Sequence, residues 1–299
     1  MNIYDDLTLI IVAYRSEALI VKNLAILKKF KVIIIDNSNS EKLQLIINDY
    51  NNINLIRSSK NLGYGKAVNL GISQSNTYFV LTVSPDILLN ESSIEILFST
   101  FINDTNDIGL LGPSLYDANM KRRTNGTISY IKKLKGNKIF NTINNMPEGN
   151  ICCDYLVGCC YLIKRDFFNS IGGFDEDFFM YFEDNDLCDK TLQNNKLIME
   201  VPSSKFIHLE NSSTEKKKFT DIKLSIIHKI SSYIYIKKKT NFIFLTFKIL
   251  TNFIDYLQRF IINLLFFNLK KSFKNLLRII SIVLYITQSY KLIYRLWKM

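Results

Sequence analysis

Cysteine is scarce and poorly spaced for chemistry: the five residues Cys152, Cys153, Cys159, Cys160 and Cys188 form two adjacent pairs and a singleton. That pattern is neither an even disulfide framework nor a C-x-x-C metal spacing, so it predicts reduced core thiols. Also missing is any run of about 18 uninterrupted apolar residues, the length a spanning helix needs. Lys248, Asp255, Arg259, Lys270, Lys271, Lys274 and Arg278 interrupt the apolar stretches near the C-terminus. The opening residues MNIYDDLTLIIVAY carry Asp5 and Asp6 where an export signal would need positive charge, which predicts retention in the cytoplasm. On that reading the Asn-x-Ser/Thr triplets at Asn90, Asn103, Asn125 and Asn211 are chance matches. No internal repeat is visible.

What is present is a chain of 299 residues, 47% hydrophobic, long enough for one large α/β domain or a domain with an appendage. The charge distribution favours the appendage. Residues 215–299 hold 17 Lys or Arg against 3 acidic residues, a net of +14, while the whole chain stands at +11, which leaves residues 1–214 slightly acidic. A basic surface attracts polyanions, either nucleic acid or an anionic membrane leaflet. Helices that alternate Lys with Phe, Ile and Leu suit the membrane interface, with the ammonium groups snorkelling to the headgroups. The alternative is ordinary packing of two or three helices with a solvated basic face.

Residues 7–14 (LTLIIVAY) and 31–38 (KVIIIDNS) are strand-like apolar runs about a helix apart, and residues 52–58 supply a third. Residues 66–75 predict a helix, and 77–86 (TYFVLTVSPD) a fourth strand. This alternation implies a mostly parallel sheet with ligands gathered at the carboxyl ends of its strands. Residues 121–149 read as a loop region, 153–163 as a buried strand or strand pair, about 183–193 as a helix, and 197–211 as a strand followed by a loop containing His208.

Four constellations carry chemical potential. Asp36 ends the second strand, where an acid can accept hydrogen bonds from a ribose or base or simply cap a turn. The glycines of NLGYGKAVNLGI (Asn61 to Ile72) let backbone approach a ligand before a helix begins, although a plain turn would look the same. It is no P-loop, because the four-residue spacer and the magnesium-binding hydroxyl are absent. Asp86, at the end of SPD, could hold Mg²⁺ or Mn²⁺ against a diphosphate, since hard cations prefer oxygen. FDEDFFMYFEDNDLC (Phe174 to Cys188) crowds six carboxylates among aromatics, an arrangement that can raise a pKa toward that of a general base, or merely decorate a helix N-terminus.

Taken in order, IVAYRS, IDNSNS, NLGYGKAVNLGI, SPD, the segment Asp154 to Cys188 and FIHLENSS resemble the family 2 glycosyltransferases of the rhamnosyltransferase-like kind, over about residues 7–214. The resemblance implies a GT-A fold in residues 1–214, α/β and Rossmann-like, with a helical, basic, amphipathic extension in 215–299. It implies that Ala13, Tyr14 and Asp36 hold the nucleoside. Asn61, Gly63, Lys66 and Asn69 would lie along base and phosphates, and Ser84 and Asp154 would complete the donor site. Asp86 would bind the metal with help from His208, and Asp184 would be the catalytic base. The first acidic position of the family's metal motif is Ser84 here, and the Q-x-x-R-W signature of processive synthases is missing, which favours a single transfer per acceptor.

The implied reaction is an inverting transfer from a nucleotide-sugar, dTDP-rhamnose or a UDP-sugar, to an undecaprenyl-diphosphate-linked glycan of surface polysaccharide synthesis. It would take place peripherally at the cytoplasmic face of the inner membrane. Two rivals are a nucleotidyltransferase and a nucleic-acid-binding protein. The first wants a glycine-rich loop after the first strand, where AYRSE has none; the second wants interleaved basic and aromatic residues on a polar scaffold, and the acidic cluster would repel phosphates, so no nucleic-acid partner is expected.

Overall fold

The computed structural model of the protein describes residues 1–103, 107–123, 125–127, 130–134, 149–209 and 218–298. The chain forms two compact units, one of residues 1–176 and 183–215, the other of residues 177–182 and 216–299.

The first unit opens with α1 (Ile3–Asp6), β1 (Leu7–Ala13), α2 (Glu17–Leu27), β2 (Lys31–Asp36), α3 (Glu41–Ile47) and β3 (Ile53–Arg57), and continues with α4 (Tyr64–Ser73), β4 (Phe79–Val83), β5 (Ile87–Leu88), α5 (Glu91–Ile102) and β6 (Ile108–Tyr116). Short pieces follow: β7 (Arg122–Arg123), β8 (Gly126–Thr127), α6 (Tyr130–Leu134), β9 (Ile151–Cys152) and β10 (Tyr155–Leu156). The unit closes with β11 (Cys160–Lys164), α7 (Arg165–Ser170), α8 (Glu183–Gln193) and β12 (Leu197–His208).

The sheet runs β3-β2-β1-β4-β11-β6-β12-β5. β1, β2, β3 and β4 are mutually parallel, β12 is parallel to β6, and β11 runs antiparallel between β4 and β6. Every residue of β1 and β4 is buried, which is why these strands read as continuous apolar runs rather than alternating ones. Strand alternation divides β1 between two apolar layers. Leu7, Leu9 and Ile11 pack with Ile20 and Leu27 of α2 and Leu97 of α5; Ile10 and Val12 pack with Val68 of α4 and Leu187 of α8. The result is a mostly parallel mixed sheet between helical layers, as the sequence predicts.

Two local readings need correction. Residues 121–149 are not all loop: β7 pairs with β6, β8 pairs with β10, and α6 follows, whereas residues 135–148 lie outside the described ones. Two-residue strands are too short to print a periodicity, so pattern reading passes over them. His208 is not in a loop but is the last residue of β12, paired with Ile87, because an irregularity between Val201 and Lys205 lets the strand resume its pairing.

The second unit holds α9 (Lys218–Lys239), α10 (Phe242–Leu265), α11 (Leu269–Ile286) and α12 (Tyr290–Lys298). Residues 177–182 belong with them: Phe179 stacks on Tyr294 at 5.4 Å, Phe182 on Tyr235 at 5.5 Å, and Ser231 donates to the Met180 carbonyl at 2.8 Å. Tyr181 and Phe182 both adopt positive φ, +68° and +69°, a costly conformation for bulky residues. The His228 ring lies 5.0 and 5.4 Å from theirs. Among the described residues no helix is long and apolar enough to cross a membrane.

Candidate active site

The carboxyl ends of β1, β2 and β4 lie along one edge of the sheet, and β11, running the other way, begins there. Ser84 N–H donates to the Cys159 carbonyl at 2.8 Å, extending the β4–β11 pairing to the SPD turn. β12 reaches the same edge through its pairing with β5. Leu209 N–H donates to the Asp86 carbonyl at 2.9 Å, and His208 Nε2 comes to 3.5 Å from Asp86 Oδ1. Residues 122 positions apart in the chain thus form a pair.

Asp86 is buried, and its Oδ1 has no hydrogen-bond donor. A buried carboxylate oxygen without a donor is costly unless a cation or ligand completes it. An oxygen and an imidazole nitrogen side by side are a donor set that a divalent ion accepts. Among the described residues no group of three or more His, Cys, Asp or Glu could hold a metal, so remaining ligands would come from water or a bound diphosphate.

Asp184, in the first turn of α8, is held by donors on both oxygens. Oδ2 accepts from Tyr155 Oη at 2.6 Å and from Gly158 N–H at 3.2 Å; Oδ1 accepts from Asn185 N–H at 2.8 Å and Asn185 Nδ2 at 3.0 Å. A Cβ at Gly158 would fall 2.9 Å from Asp184 Cβ, so this close approach requires glycine. Tyr64 Oη donates to the Gly158 carbonyl at 2.8 Å and fixes the same residue from the other side. Burial, then the Asp184 charge, pushes the Tyr155 phenol well above its usual pKa, so it remains a donor.

The two carboxylates are tied to neighbouring residues: Gly158 N–H donates to Asp184, and the next residue, Cys159, accepts from Ser84, two positions before Asp86. The Cys159 thiol is pushed well above its ordinary pKa, first by burial, then by Cys160 and by the charges of Asp86 and Asp184. Glu183, beside Asp184, is fully buried, and its Oε2 has no partner. Desolvation first, then the Asp184 charge, raises it well above the usual glutamate value. Asp186, also buried, pairs with Lys190 at 3.1 Å. Of the three acids in this turn, Asp184 is oriented by donors on both of its oxygens.

The remaining candidates divide. Asp36 accepts from Ser38 N–H (2.8 Å), Ser38 Oγ (2.6 Å) and Ser40 N–H (2.5 Å), so its carboxylate organises its own loop. Asn61 accepts from Gly63 N–H at 2.9 Å, and Gly63, at φ +83°, opens α4 toward the sheet edge. Ala13 ends β1, and Tyr14 is half-buried with the Arg15 guanidinium 5.5 Å from its ring centre. Lys66 pairs with Glu176 at 2.5 Å, and Asn69 is taken up on both sides of its amide by the Phe174 backbone at 2.8 and 2.9 Å. Asp154 pairs with Lys132 at 2.8 Å. Sequence reasoning missed Tyr155 and Gly158 as individuals; their proximity to Asp184 depends on a strand register that no local pattern reveals.

The model of glycosyl transferase family 2 matches residues 8–172, more than half of the sequence. The chain belongs to glycosyl transferase family 2. Across 232 residues, covering 72% of this chain and 70% of the relative, it is 29% identical to the low-salt glycan biosynthesis hexosyltransferase of Haloferax volcanii. Across 239 residues, 72% of this chain and 76% of the relative, it is 26% identical to the N-acetylglucosaminyl-diphospho-decaprenol L-rhamnosyltransferase of Mycobacterium tuberculosis. Among solved structures, it is similar in fold to a mannosyltransferase of Pyrobaculum calidifontis in complex with GDP-Man and Mn²⁺ (TM-score 0.54, 13% identity, 78% of this chain and 64% of that one). It is also similar to S. aureus TarS in complex with UDP (TM-score 0.51, 17% identity, 76% of this chain and 65% of that one). The chain spans just under two thirds of these two solved proteins. A glycosyltransferase of GT-A fold is therefore established, and the nucleotidyltransferase alternative falls away.

Proposed function

We propose that this glycosyltransferase moves one sugar, rhamnose from dTDP-rhamnose, onto a hydroxyl of an undecaprenyl-diphosphate-linked glycan, with inversion at the anomeric carbon. The observation that carries the reading is the Asp86–His208 pair at the end of β4 together with the oriented Asp184 carboxylate, which the adjacent residues Cys159 and Gly158 tie to the same strand end. The relative named as an L-rhamnosyltransferase acting on a decaprenol-linked sugar supports the choice of donor and acceptor class. Such an acceptor stays in the bilayer, so the enzyme works peripherally at the cytoplasmic face, against an anionic surface.

Asp184 takes the proton of the acceptor hydroxyl as that oxygen attacks opposite the departing diphosphate. The Tyr155 and Gly158 donors on Oδ2 and the Asn185 donors on Oδ1 hold the carboxylate in place; one of them gives way as the acceptor binds. General-base assistance of this kind contributes about 10² to 10⁴ in rate. Asp86 and His208 would hold Mg²⁺ or Mn²⁺, which when bound offsets the charge of the diphosphate. Ala13, Tyr14, Asp36 and the Asn61–Gly63 turn receive the nucleoside, with Lys66 near the phosphates.

The test is a panel of nucleotide-sugars, dTDP-rhamnose and UDP-hexoses foremost, scored for hydrolysis and thermal stabilisation of the full chain. Stabilisation and turnover by dTDP-rhamnose are expected. Activity with a UDP-hexose and none with dTDP-rhamnose would replace the donor, and inertness to every donor would remove the reading.

A further inference from the structure

α11 buries small polar residues beside Leu277 and Ile282, and leaves large apolar residues exposed beside its lysines. Ser272, Asn275 and Ser281 are buried, whereas Phe273, Leu276, Ile280 and Val283 face outward. A helix packed in water buries its large apolar residues, because apolar burial drives the packing. Ser272 donates to the Phe260 carbonyl of α10 at 3.2 Å, a small polar residue at a close helix–helix contact.

α10 has the same outward character. Ile243, Phe247, Leu250, Ile254, Leu257 and Ile261 are exposed at alternating four- and three-residue spacing, which forms one continuous stripe. The turn joining the helices is more apolar still: Leu265, Phe266, Phe267 and Leu269 are 65–88% exposed. Apolar surface of this extent on a monomer marks a binding face. Lys270, Lys271 and Lys274 follow the turn and are all exposed. Between residues 242 and 286, Asp255 is the one acid against six Lys or Arg, and it is paired with Arg259 at 2.7 Å. A second copy of so basic a hairpin would be repelled, while anionic headgroups would be attracted.

We infer that the α10–α11 hairpin is a monotopic anchor in the boundary layer of an anionic bilayer. Its turn is wedged among acyl chains, with Lys270, Lys271 and Lys274 at the headgroup phosphates. The inference rests on the lipid-borne acceptor proposed above and adds how the enzyme reaches it. Neither helix spans; each lies with its stripe toward the acyl region.

The test is flotation of the full chain with vesicles of phosphatidylglycerol and phosphatidylcholine in equal parts, and with phosphatidylcholine alone. The wild type is expected to float with the anionic vesicles. Phe266→Ser with Phe267→Ser should lower its partitioning at least about tenfold, and Lys270→Glu with Lys271→Glu and Lys274→Glu should abolish the preference for anionic lipid. All five positions are exposed, so the fold is retained, which circular dichroism checks. Unchanged flotation of both variants overturns the anchor. So does a wild type that ignores vesicles but sediments as a dimer which the Phe266/Phe267 variant dissociates. Donor hydrolysis on the same samples separates the two readings: its loss in every sample removes the transferase reading without touching flotation.

Discussion

Tyr155 gives its phenolic hydrogen to Asp184 Oδ2 across 2.6 Å, linking the short strand β10 to the first turn of α8. Tyr155→Phe should therefore act on positioning. The expected result is a fall in kcat of about tenfold with little change in KM for the donor, since hydrogen bonds to charged groups contribute about 1.5–3 kcal/mol. A variant that loses donor affinity and keeps kcat would place Tyr155 in the donor pocket instead.

Asp184→Asn should lower transfer by about 10² or more while donor binding survives, because the amide keeps the shape and cannot take the proton. Retention of more than about a tenth of the turnover would shift the role to another acid, Asp186 first. Glu183 is a poor substitute, since burial disfavours its charged form.

Gly158→Ala places a methyl group 2.9 Å from Asp184 Cβ. Overpacking of this kind costs about 1–3 kcal/mol. The expected outcome is a lowered Tm together with a loss of turnover; wild-type kinetics would mean that the Asp184 contact is dispensable.

Much of the fold around this candidate site was legible in the sequence, and the reason is chemical. β1, β2 and β4 are buried on both faces, so their apolar runs stand out, and α8 has the bounds its acidic start and apolar periodicity predict. Asp86 and His208 could be paired only through family resemblance, because nothing in either segment points to the other. Asn69 shows the opposite limit: its position suits a phosphate, yet its amide fastens the chain at Phe174. The apolar residues that α11 leaves exposed were hidden because a helical pattern reveals which residues share a face, not which face meets solvent.

Glu183 makes stability depend on pH in a definite direction. Its unfolded value is near 4.5 and its folded value lies well above, so the unfolded chain gives up the proton first as pH rises. Stability from this group is full below about 4.5 and is lost as pH climbs toward the folded value. Glu183→Gln should flatten the decline of Tm as pH rises above the unfolded value, and an equally steep decline in the variant would assign it to other groups.

Asp86→Ala should weaken binding of Mn²⁺ and of the nucleotide-sugar alike in calorimetry, with His208→Ala producing a smaller loss. Excess EDTA should mimic Asp86→Ala; full turnover in EDTA would remove the metal.

The six residues 177–182 give the protein an unusual genealogy of parts. The chain leaves the catalytic unit just before Glu183, returns for α8 and β12, and departs again, so a chimera that exchanges the helical unit between relatives has three seams to match instead of one. Phe179 and Phe182, which rest on Tyr294 and Tyr235, would have to travel with the helices. A swap of α9 to α12 alone would leave these two rings without their partners and should lower Tm more than a swap that carries residues 177–182 along.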